Sequence, residues 1–179
     1  MKRQTWSLVI IVLVVVLYFA RNHVGVPTAT IDYRGEQFKM RKGYWSYEDY
    51  KDDPYNLATN ELPRIEKVML EARIGPSFDT RQQFFQAVSD LVFPGYGCGT
   101  SGDRQQPDGS TLVLQFIEIP PHDNTKDRYF VAQSHESRFT LIDDFVIGPA
   151  TNLIFDVRLE GTKLRYYDDR GALVREKQM

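Results

Sequence analysis

The hydrophobic pattern changes character along the chain. It opens with an uninterrupted run, WSLVIIVLVVVLYFA from Trp6 to Ala20, whose only polar groups are Ser7 and the Tyr18 hydroxyl. A buried core helix normally keeps one polar face, so this run reads as a membrane anchor or a secretory signal. At 1.5 Å per residue it covers roughly 22 Å against roughly 30 Å of hydrocarbon. Lys2, Arg3 and Arg21 can snorkel to close the gap, with Trp6 and Tyr18 at the two interfaces. A cleavage site wants small residues at −3 and −1, but ending at Ala20 puts Tyr18 at −3 and ending at Ala29 puts Pro27 there. The expectation is therefore an uncleaved signal-anchor over 5–23, with 1–4 as a cytoplasmic tail, 24–29 as a tether and 30–179 as an extracytoplasmic domain. The alternative is a secreted domain released by signal cleavage.

Beyond the tether, Ile31 and Tyr33 alternate with polar residues, Arg34-Gly35-Glu36 turns, and Phe38 and Met40 return, which predicts a hairpin. Two helices follow. Leu62, Ile65, Val68, Met69 and Ala72 fall at helical spacing over 61–73, with Asn60 as N-cap and Pro63 in the first turn. Phe84, Val88, Leu91 and Val92 do the same over 79–93, behind an Asp79/Gln82 capping box. Residues 95–110 carry repeated glycines and polar residues and read as a long surface connection.

From Thr111 the period becomes two. TLVLQFIEI (111–119) is apolar on both faces and predicts a central strand, 129–134 another, and 138–147 a third that Asp143-Asp144 interrupts as a bulge or turn would. Leu153, Phe155, Val157 and Leu159 alternate with polar residues, Leu164 and Tyr166 return, and ALVRE forms a last edge strand. Hairpins dominate and no βαβ alternation occurs. The fold class expected is α+β: an N-terminal single transmembrane helix, then one domain of antiparallel sheet, about six or seven strands, packed with two main helices.

Composition narrows the chemistry. A net charge of −2 gives no basic field, which argues against nucleic acid as a partner. Cys98 is the single cysteine, so no internal disulfide forms. It sits in GYGCGTSG, but that loop leaves a helix for a strand and lacks a G-K-[ST] ending, so it is no nucleotide cradle. A thiol hydrolase or transferase would need Cys98 beside an imidazole, from His122 or His135, oriented by Asp143 or Asp144. No histidine pair has metal-ligand spacing, and Asp49, Asp52 and Asp53 lack the pattern of a calcium loop, so no metal or cofactor is expected. Tyr44, Trp45, Tyr47 and Tyr50, set among acids, offer faces for a glycan or a peptide, or pack on the sheet. Together these features favour a membrane-held binding or assembly domain, its partners other envelope proteins or glycan, acting through sheet edges or that aromatic stretch. The thiol enzyme is the alternative.

Overall fold

In the computed structural model, residues 28–41, 61–94, 96–120, 126–148 and 153–179 are described. The chain begins with a hairpin of β1 (Thr28–Tyr33) and β2 (Glu36–Arg41). Helix α1 (Leu62–Glu71), the short β3 (Ser77–Phe78) and helix α2 (Arg81–Ser89) follow. Then come β4 (Cys98–Gln105), β5 (Thr111–Ile119), β6 (Lys126–His135) and β7 (Arg138–Ile147). The last three strands are β8 (Asp156–Glu160), β9 (Lys163–Tyr167) and β10 (Leu173–Gln178). Neighbours pair antiparallel in a five-stranded sheet ordered β3-β7-β6-β5-β4, a three-stranded sheet ordered β10-β9-β8, and the hairpin.

The two apolar faces of β5 set the layers. Val113, Ile117 and Ile119 meet Ile65 and Met69 of α1 and Phe84 and Val88 of α2. Leu112 and Leu114 point the other way, against Val157, Leu164 and Tyr166 of the three-stranded sheet. The molecule is thus three layers deep, and the five-stranded sheet is covered on both sides. Each of these large side chains contributes about 1.5–3 kcal/mol by leaving water, which explains why β5 carries apolar residues at successive positions.

Local chemistry fixes the connections. Arg34 and Gly35 both take positive φ, 51° and 83°, as a two-residue turn matched to the strand twist requires. The hairpin joins the helical layer through buried Phe38 and Tyr33, whose hydroxyl donates to the Leu91 carbonyl. Helix α2 is capped one residue later than the spacing predicts. Thr80 Oγ1 accepts from the Gln83 amide at 3.1 Å, and Gln83 Oε1 accepts from the Asp79 amide at 2.8 Å.

Several expectations are corrected. Strands make up 53% of the structure and helices 16%, so the fold is mostly β and the α+β expectation gives too much weight to the two short helices. Among the described residues no helix is long and apolar enough to cross a membrane, so the described fold is not headed by the transmembrane helix expected. The Trp6–Ala20 run itself lies outside the described residues. The tether ends early, because β1 already begins at Thr28. Within the polar stretch 95–110 read as a surface connection, Cys98–Gln105 forms the strand β4. Its glycines have structural reasons: a Cβ on Gly99 would come within 2.5 Å of the Phe116 ring, and Gly102, φ 108°, sits at a bulge after Thr100.

The break in β7 is a bulge at Ile142, where Val131 pairs with Asp143 and Ala132 with Leu141. It reverses the alternation. Phe139 and Leu141 face the helices, whereas Asp143 and Phe145 face the other sheet. A second reversal precedes β8: Ile154 is buried and Phe155 is half exposed, so Leu153 and Phe155 do not share the inward face of Val157.

Candidate functional site

Among the described residues, Cys98 and His135 do not come together. Cys98 is exposed at the start of β4, its Sγ 3.7 Å from Ser89 Oγ, and it pairs with Ile117. His135 is exposed at the β6–β7 hairpin, next to Ser134, which pairs with Thr111. From Thr111 to Ile117 the strand runs roughly 20 Å, so Cys98 and His135 occupy opposite ends of the sheet. His122 lies outside the described residues, as do Tyr44, Trp45, Tyr47, Tyr50 and the acids Asp49, Asp52 and Asp53.

The two aspartates serve the two cores. The bulge sends Asp144 toward the helices, where its carboxylate takes Nε and Nη2 of Arg128 at 2.7 and 2.6 Å. Arg128 is 2% exposed, and its Nη1 donates to the Met69 and Ala72 carbonyls at 2.6 and 2.9 Å. A guanidinium there satisfies carbonyls that the C-terminal end of α1 leaves without helical partners and complements the helix dipole. Asp143 points the other way. It accepts from the Tyr166 hydroxyl at 2.6 Å and from Lys177 Nζ at 2.9 Å, tying β7 to β9 and β10. Burial, with the Asp143 hydrogen bond next, pushes the Tyr166 phenol well above its ordinary range.

A third carboxylate is under strain. Asp127 is buried, stands opposite Glu118 in the β5–β6 register, and accepts from the Tyr129 hydroxyl at 3.2 Å. That hydroxyl in turn accepts from the Ile154 amide at 3.2 Å. Desolvation, only partly offset by the Tyr129 hydrogen bond and reinforced by Glu118, raises Asp127 from 3.8 to about 6. Glu118 also holds the Gly97 amide, at 3.2 Å. Asp127 and Tyr129 stand inside the sandwich and hold the segment before β8.

Among the described residues, a surface feature with binding geometry lies at an edge of the large sheet. Strand β4 ends that sheet, and β8 ends the smaller one above it. Between them is a cleft of about 260 Å³ lined by Gly102, Asp103, Arg104, Leu114, Phe155, Asp156 and Val157. The Gln106 amide donates to the Ser110 carbonyl at 2.7 Å. Alternation in an antiparallel ladder then turns the backbone of Arg104 and Gly102 toward β5 and leaves that of Asp103 and Gln105 facing outward. Those outward groups form a template for another strand.

The side chains of this edge divide between the faces. Asp103 reaches α2, where Arg81 Nη2 meets it at 2.6 Å. Arg104 points into the cleft toward Asp156, at a distance of 4.0 Å. Asp156 is already held by Arg158 at 2.8 Å, so Arg104 is incompletely neutralised. Phe155, 50% exposed, forms the apolar part of the wall. Sequence reasoning missed Arg104 and Phe155 because an edge strand over a cleft has no apolar alternation to reveal it. The available signal was the pair Gly99 and Gly102, spaced as a ring contact and a bulge need.

Among the described residues no group of histidine, cysteine, aspartate and glutamate is arranged to hold a metal ion. No family model matches the chain, and comparison with characterised proteins and with solved structures yields no significant match.

Proposed function

We propose that this protein is a binding or assembly domain that takes an extended polypeptide as an added strand on β4. One observation carries the reading: an eight-residue strand closes the large sheet with outward backbone groups beside an open cleft. Strand addition draws affinity from main-chain hydrogen bonds and selectivity from pockets for alternate side chains, and this edge offers both. On the opposite side of the sheet the two-residue β3 pairs with β7 at Phe139 and Thr140. A thiol site that pairs Cys98 with His135 is disfavoured by the distance between them, and Asp143 and Asp144 are engaged with Tyr166, Lys177 and Arg128.

The test uses the full chain and a blocked, neutral peptide alternating threonine and valine. Gln105→Pro removes an outward N–H without touching the β5 ladder. Calorimetric binding to the parent chain, abolished by Q105P while the thermal unfolding profile is retained, supports the proposal. Binding unaffected by Q105P refutes it.

A further inference from the structure

We infer that the partner strand runs antiparallel to β4 and carries a carboxylate opposite Arg104, followed two residues later by a large apolar side chain opposite Gly102. This rests on the reading of β4 as the docking edge. Arg104 and Gly102 both lie on the cleft side of the strand, next to Leu112 and Leu114 of β5, with which they pair. An added antiparallel strand places its residues directly opposite these two, in pairs that are not hydrogen-bonded to each other and whose side chains approach most closely.

The two positions differ in what they accept. At Arg104 the cation is half exposed and shares Asp156 with Arg158, so an incoming carboxylate completes its neutralisation. At Gly102 nothing lies within 4 Å of where a Cβ would stand. That space adjoins Leu114, Val157 and the exposed half of Phe155, all of which line the cleft. An apolar side chain seated there removes apolar surface from water on both partners. Antiparallel addition continues the pairing that every strand of this sheet uses, and it fixes the order as acid first, apolar second. A parallel partner would need the reverse order.

Four blocked hexapeptides on a threonine background test this with the full chain: Glu-x-Phe, the reversed Phe-x-Glu, Lys-x-Phe, and threonine throughout. Glu-x-Phe is expected to bind about fivefold or more tightly than each of the other three, with the margin over Lys-x-Phe shrinking in high salt. Arg104→Glu should invert the glutamate–lysine preference, Arg104→Gln should flatten it, and Q105P should abolish binding of all four. If all four bind equally and Q105P still abolishes binding, strand addition stands and the charge and order inference falls. If no peptide binds in a manner that responds to Q105P, both fall.

Discussion

Replacing Asp127 by asparagine isolates the most strained charge in the core. Asp127 is buried opposite Glu118, and its folded value of about 6 compares with 3.8 for the free group. The folded protein therefore binds more protons than the unfolded chain between about pH 4 and pH 6, and stability falls as pH rises through that window. A rise of about two units at about 1.4 kcal/mol each makes the ionised form cost about 3 kcal/mol at neutral pH. Asparagine keeps an oxygen for the Tyr129 hydroxyl and removes the charge facing Glu118. Urea unfolding of both proteins across about pH 4 to 8 should show D127N more stable by up to about 3 kcal/mol at neutral pH, with the difference closing toward pH 4. Curves that run parallel, or a variant that is less stable at every pH, would refute the assignment of strain to this carboxylate.

Three further outcomes follow from packing and the edge. Arg128→Met leaves Asp144 and the Met69 and Ala72 carbonyls without their donor and should cost about 3–5 kcal/mol in chemical denaturation. Adding Asp144→Leu should recover part of that loss, because it removes the stranded charge. Gly99→Ala drives a methyl into the Phe116 ring and should lower stability by about 1–3 kcal/mol, with Phe116→Leu in the same chain relieving it. In the peptide titrations, exchanging Phe155 for alanine should weaken Glu-x-Phe but leave the all-threonine peptide nearly unchanged, which calorimetry reads directly.

The sequence revealed structure wherever burial imposes a period. Thr111–Ile119 showed its central position because both of its faces are covered, and helix α2 showed its buried stripe through Phe84 and Val88. Strand β4 was illegible for the opposite reason. One side of it is an open edge, and close contact with Phe116 selects glycine, which reads as loop. The Asp143-Asp144 pair signalled an irregularity but not its consequence, since only the bulge at Ile142 shows that the two carboxylates face different layers. Phe155 looked like core because the alternation was carried one step too far; the reversal at Ile154 turns the ring out to the cleft. The residues proposed to bind are thus those that local periodicity hides.

Amide hydrogen exchange on the full chain, with and without the Glu-x-Phe peptide, tests the docking edge most directly. The Asp103 and Gln105 amides should exchange freely in the protein alone and become protected when peptide is present, while those of Arg104 and Gly102 are protected in both. Protection gained on another strand, or no change at Asp103 and Gln105 under saturating peptide, would contradict the assignment of β4 as the binding edge.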